Sequence, residues 1–271
     1  MNSKPIAVFD SGLGGLSVVR HLRQFLPNED IVYFGDTARV PYGTKTRATV
    51  VNFALDDATF LLQFEPKMVV VACNTASALA MPEITRAMPV PVVGVVEPGA
   101  RTAAEIAGDG TVVVLGTEAT INSGAYPAAI AACGVNSRVL QKACPLFVPL
   151  VEEGRDSTDP IVRMTVESYL APLRTEPIRA VVLGCTHYPL LREAIAAVMG
   201  PAVHIVDSGR ETSLTVQRQL QAAGALAGAT RPGTMKCYVS DNPTRFRDVG
   251  SRFLNHAIEH VEFVDPERYI R

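Results

Sequence analysis

The chain has 271 residues, 48% of them hydrophobic, which is enough for a large buried core and for one or two domains. A net charge of −2 and a pI near 6.2 leave no positive field to gather phosphates, and basic clusters such as Arg245-Phe246-Arg247 are short, so nucleic acid is not an expected partner. No apolar run approaches the roughly 18 residues that span a bilayer, and MNSKPIAVFD enters a strand without the pattern of a signal peptide, so a cytoplasmic protein with no membrane partner is expected.

In chain order, short Val- and Ile-rich runs predict strands at 6–9, 30–34, 68–72, 91–96, 111–116, 179–184 and 204–206. Helical patterns lie between them, including 44–64 and 160–173, the latter opening at Pro160 behind a capping Asp159. The alternation predicts an α/β fold with parallel sheet, and the continuously apolar runs predict strands covered on both faces. The tail beyond 210 predicts one helix, a strand near 236–240 and another near 260–264.

Three pairs of segments recur in the same order: IAVFDS (6–11) with VVVLGT (112–117), VVVACNT (69–75) with VVLGCTH (181–187), and VVEPG (95–99) with IVDSG (205–209), at offsets of 106, 112 and 110 residues. This points to an internal duplication. Two similar α/β halves facing one another are expected: residues 1–98 with 208–271 as a discontinuous first domain, and 99–207 as the second. The connections at 97–99 and 207–209 are the expected hinges.

In open parallel sheets ligands sit beyond the carboxyl ends of the strands. The unusual polar clusters fall there: Asp10-Ser11, Cys73-Asn74-Thr75, Thr117 and Cys185-Thr186-His187. Five cysteines with no CxxC pair fit neither a disulfide framework nor a zinc knuckle. Cys133, Cys144 and Cys237 read as small hydrophobes, whereas Cys73 and Cys185 occupy matching strand ends. Two opposed thiols suit inversion of a carbon centre, one removing a proton from one face while the other returns one to the opposite face. Asp10 and His187 are placed to tune the two thiols, and a helix starting beyond each strand would favour the thiolate.

DSGLGGLSVV (10–19) falls short of a dinucleotide fingerprint because Ser17 stands where the third glycine belongs. Gly12, Gly14 and Gly15 read either as a turn exposing backbone N–H groups to a small charged ligand or as close packing. Pro41-Tyr42-Gly43 reads as a turn. His256 and His260, four apart on a predicted helix, lack further ligands nearby, so no metal is expected. No lysine stands in the strand-end clusters to anchor pyridoxal phosphate.

FDSGLGGLSV (9–18), YFGDTARVPYG (33–43), ACNTASA (72–78), LGTEATINSGAY (115–126), CPLFVPLVEEG (144–154) and LGCTHYPLL (183–191) together resemble the glutamate racemase family, cofactor-independent enzymes that interconvert L- and D-glutamate for peptidoglycan synthesis. The resemblance implies two facing flavodoxin-like domains and no cofactor. It implies Cys73 and Cys185 as acid–base catalysts, assisted by Asp10 on the first side and by His187 and Glu152 on the second. Substrate would be held by Asp10, Ser11, Pro41, Tyr42, Gly43, Asn74, Thr75, Thr117, Thr120, Thr186 and His187. Asp36 matches the pattern without an assigned role, and a homodimer is left open. Some relatives are activated by a cell-wall precursor through an N-terminal extension; five residues precede the first strand here, so that regulation is not expected. The competing readings are a racemase for aspartate or another small acid, and a non-catalytic amino-acid sensor.

Overall fold

The computed structural model describes residues 3–228 and 231–268. The first half runs β1 (Ile6–Asp10), α1 (Leu16–Phe25), β2 (Ile31–Gly35), α2 (Arg47–Leu61), β3 (Met68–Val71), α3 (Asn74–Leu79), α4 (Met81–Ala87) and β4 (Val92–Gly94). Helix α5 (Val96–Ala107) crosses to β5 (Thr111–Gly116), α6 (Glu118–Asn122), α7 (Ala125–Ala131), β6 (Arg138–Ala143), α8 (Phe147–Glu152), α9 (Pro160–Leu170), β7 (Ile178–Gly184), α10 (Arg192–Met199) and β8 (His204–Asp207). Helix α11 (Ser208–Ala222) leads back to β9 (Met235–Val239), α12 (Pro243–Leu254) and β10 (Val261–Phe263).

Two separate sheets form. One has the order β10-β9-β2-β1-β3-β4 and the other β6-β5-β7-β8, with every pairing parallel. The shared order β2-β1-β3-β4 and β6-β5-β7-β8 is that of a flavodoxin-like sheet, and the first two recurring pairs fall on its equivalent strands β1/β5 and β3/β7; of the third, IVDSG runs along β8 into α11 whereas VVEPG begins just after β4 and opens α5. Strands β1, β2, β3 and β5 are buried at every residue because helices cover both faces, as their unbroken apolar runs require. One apolar core runs between the sheets, taking in Leu16 and Tyr33 from one side and Val113, Phe147 and Tyr188 from the other.

Four details depart from expectation. Strand β6, the counterpart of β2, carries RVLQKA, an edge strand whose polar residues break the apolar signal. The helix expected over 160–173 ends at Leu170 and tightens into a 3-10 turn, since Pro172 has no N–H to continue the ladder. Two helices, α11 and α12, flank β9 where one was expected. His256 and His260 are not on a helix: α12 stops at Leu254, and Asn255 turns left-handed at φ 55°. The 97–99 and 207–209 connections lie at the starts of α5 and α11, where a Cβ on Gly99 would stand 3.0 Å from Ser208 Cβ. Among the described residues no helix is long and apolar enough to cross a membrane.

Candidate active site

Parallel register aligns Phe9 with Val71, so the residues just beyond β1 and β3 emerge at one edge. Cys73 takes an extended conformation as the N-cap of α3, its sulfur accepting the Ala76 N–H at 3.4 Å and donating to Ser11 Oγ at 3.6 Å. Behind it, the buried Asp10 accepts the Gly12 N–H through Oδ2 at 3.0 Å, while Oδ1 has no protein partner. Burial raises the Asp10 carboxyl above its ordinary range, against the opposing pull of His187. Burial, reinforced by the Asp10 charge, pushes the Cys73 thiol up to about 12. Without substrate, Cys73 therefore rests as a protonated acid.

The second sheet repeats the geometry with different chemistry. Gly116 and Gly184 pair at the ends of β5 and β7, bringing Thr117 and Cys185 to one edge. Thr117 caps α6 by accepting the Thr120 N–H at 3.2 Å. No α-helix starts beside Cys185, contrary to expectation: Tyr188, held by its buried ring and its hydroxyl on the Cys144 carbonyl at 2.9 Å, opens a 3-10 turn, and α10 begins only at Arg192. In place of capping amides, Cys185 faces His187 Nδ1 at 3.9 Å. His187 Nε2 lies 3.0 Å from Glu152 Oε1, at the end of α8, and Glu152 Oε2 lies 3.1 Å from Arg245 on α12. Burial opposes a charge on His187, but its contacts with Cys185 and Glu152 prevail and lift it to about 10. Burial likewise works against the Glu152 carboxylate, yet His187 and Arg245 hold it below its usual range. An imidazolium beside Cys185 stabilises the negative sulfur that proton removal requires.

The two edges meet. Asn74 donates to Tyr126 Oη at 2.8 Å and Ser208 Oγ at 3.3 Å, leaving Oδ1 without a partner. The hydroxyls of Thr75, Thr117 and Thr120 form a triangle with sides of 3.0, 3.3 and 2.9 Å. Gly14 packs so closely under the second lobe that a Cβ there would stand 2.3 Å from Thr186 Oγ1. The resulting cavity, about 410 Å³, suits a small molecule.

Ser11, Pro41, Tyr42, Gly43, Cys73, Asn74, Thr75, Thr117, Glu152, Cys185, Thr186 and His187 all line that cavity. Asp10 and Thr120 stand behind its wall, 1% and 0% exposed, and reach it through the Gly12 amide and the threonine triangle. Gly12, Val40, Thr44, Glu118, Pro145, Val148 and Pro149 complete the lining. His187 is the one cation among the lining residues, so anionic groups of a ligand must otherwise be met by amides and hydroxyls.

Asp36 anchors the loop that carries Tyr42 and Gly43. Its carboxylate receives Arg39 Nε at 2.6 Å and Ser240 Oγ at 3.0 Å and lies 2.5 Å from Tyr42 Oη. Arg39 also binds Asp56 and Asp57, each at 2.8 Å. Three carboxylates share one guanidinium, so burial and then the Asp36 charge hold the Asp57 carboxyl well above its ordinary range. Sequence reasoning gave Asp36 no role and missed Arg39, Tyr126, Ser208 and Arg245. Only the YFGDTARVPYG run, which holds Asp36, Arg39 and Tyr42 together, hinted at the loop network.

Residues 14–212 match the Asp/Glu/Hydantoin racemase family model. The glutamate racemase of Geobacter metallireducens is 46% identical over 264 residues, covering 97% of both chains. Among solved structures, the glutamate racemase of Francisella tularensis in complex with D-glutamate superimposes with a TM-score of 0.92 at 40% identity, covering 99% of this chain and 100% of that one. That of Thermus thermophilus in complex with beta-chloro-D-alanine gives 0.89 at 45% identity, covering 98% and 99%. The chain belongs to the Asp/Glu/hydantoin racemase family.

Proposed function

We propose that the protein racemises glutamate without a cofactor, supplying D-glutamate for peptidoglycan synthesis in the cytoplasm. One observation carries the reading: two cysteines from equivalent strand ends of two facing sheets line a single small cavity. A planar carbanion formed between them can be protonated from either side, so opposed thiols invert the centre where one fixed base could not.

In the L-to-D direction Cys185, faced by the His187 imidazolium, takes the α-proton, and Cys73, resting protonated, returns one to the opposite face. In the D-to-L direction the roles reverse, with Asp10 as the proton relay on the Cys73 side. Asn74 Oδ1, left without a protein partner, suits an ammonium donor, while Ser11, Thr75, Thr117, Thr186 and the Gly43 backbone suit carboxylate oxygens. Thr120 orients the Thr75 and Thr117 hydroxyls, and Pro41 and Tyr42 shape the opposite wall. The working units in this reading are 1–98 with 208–271 and 99–207, and their closure excludes water.

The test is circular dichroism of the purified protein with L-glutamate and no added cofactor, run beside L-aspartate. The optical signal of glutamate should decay to zero and that of aspartate should persist. A faster decay for aspartate would reassign the substrate, and a stable signal for both would end the racemase reading.

A further inference from the structure

Helix α12 lies between β9 and β10 of the six-stranded sheet, yet three of its residues reach the other lobe. Arg245 Nη2 lies 3.1 Å from Glu152 Oε2, Arg252 Nη1 donates to the Val151 carbonyl at 3.1 Å, and the Phe253 ring meets the His187 ring edge-on with centroids 5.0 Å apart. Positions 245, 252 and 253 are seven and eight residues apart, two helical turns, and so share one face. Their targets are the last two residues of α8 and the imidazole that faces Cys185.

Glu152 is thus held at both oxygens, by His187 from the loop after β7 and by Arg245 from α12. Asp10, at the end of β1, is the other carboxylate whose charge reaches His187. A carboxylate bound at one oxygen can swing about its terminal torsions, whereas one fixed at both holds its imidazole partner in one orientation.

We propose that Arg245 is a positioning residue, a charged strut thrown across the cleft that fixes Glu152 and thereby aims His187 at Cys185. The Cys185 half of the site is then fully assembled only while α12 is docked on α8. The Cys73 half is built from β1, β3 and α3 and makes no contact with the strut; the strut reaches it only through the charges of His187 and Glu152 on Asp10. This inference rests on the racemase reading for its kinetic consequences but not for its structural one.

The test uses the full chain carrying Arg245→Met or Arg245→Lys. Because Arg245 is half exposed, the pair is worth only a modest amount, and Arg245→Met should lower kcat/KM for racemisation about fivefold, with Arg245→Lys recovering most of it. The acid limb of the pH profile should move upward, since Glu152 loses a cation that holds its carboxyl low.

Side-specificity is read by elimination from glutamate bearing chlorine on Cβ. A thiolate takes the α-proton, chloride leaves with the Cβ–Cl electrons, and the resulting enamine hydrolyses to a keto acid and ammonia. Arg245→Met should slow this reaction in the Cys73→Ser background, where Cys185 is the base, and affect it much less in the Cys185→Ser background. Independently of turnover, the carboxyl carbon resonance of Glu152 should titrate at higher pH in Arg245→Met, and the His187 ring resonances should move with it. Equal slowing in both backgrounds, loss of activity without movement of the acid limb, or unchanged Glu152 and His187 resonances would each overturn the strut. A native protein inactive on both glutamate and its chloro analogue would instead overturn the racemase reading, and the resonances would still decide the strut.

Discussion

On the six-stranded side, Cys73 caps a helix, takes a backbone amide and is backed by a buried carboxyl, whereas on the four-stranded side Cys185 precedes a 3-10 turn and is backed by an imidazole held between two lobes. The backbone is duplicated but the chemistry is not. Burial with Asp10 keeps Cys73 a thiol, while His187 at about 10 places a cation beside Cys185. Pseudo-symmetric strands can therefore set out two matched positions while their neighbours surround each with different chemistry.

The largest effects should come from the thiols themselves. Cys73→Ser and Cys185→Ser should each lower racemisation by about a hundredfold to ten-thousandfold, because a hydroxyl fills nearly the same space but is a far poorer acid–base group. In elimination the two variants should show opposite enantiomer preferences, Cys73→Ser acting on the L-form and Cys185→Ser on the D-form. Loss of both enantiomers in both variants, or near-normal racemisation in either, would break the two-sided picture.

A smaller effect separates the supporting groups. Asp10→Asn in the Cys185→Ser background, and His187→Asn in the Cys73→Ser background, should each slow elimination about tenfold or more, and each should matter much less when the backgrounds are exchanged. Equal losses in all four combinations would show that both groups serve the cleft as a whole.

His187 also leaves a mark on stability. Its proton is bound more tightly in the folded chain, at about 10 against an ordinary 6.5, so the stability it contributes is fully present below pH 6.5 and is lost as pH rises toward 10. The melting temperature should fall across that window, and His187→Asn should flatten the fall. Asp10, raised by burial, acts with the same sign at lower pH: its contribution is present below the ordinary carboxylate value and lost as pH rises through the folded one.

Away from both thiols, Asp36→Asn should cost about 1–3 kcal/mol by unbalancing a buried network, and should raise KM more than it lowers kcat, because Asp36 positions Tyr42 and Gly43 rather than a proton donor. Denaturant titration with steady-state kinetics checks both. The smallest effect should follow dialysis against chelators, which should leave racemisation unchanged; loss restored by added metal would add a third participant beside the two thiols.

Much of this was legible in the chain because it is local. An apolar run followed by Cys-Asn-Thr or Cys-Thr-His marks a buried parallel strand opening at its ligand-binding end, and repetition of that pattern about 110 residues later marks the second sheet. Asp159-Pro160 marked the start of α9 for the same reason, since a cap and its helix are neighbours in sequence. Strand β6 escaped because an edge strand need not be apolar, and the helix expected after Cys185 gave way to the packing of Tyr188.

What tertiary structure alone decided was which distant groups share the cleft. Arg245 meets Glu152 across 93 positions, Ser240 meets Asp36 across 204, and Asn74 reaches Ser208 across 134. Periodicity records only which face of an element is buried, and a charged or hydroxyl side chain carries no local sign of its partner. Such pairs are fixed only when elements distant in sequence pack, within a lobe or between the two, and their polar groups, cut off from water, must find one another.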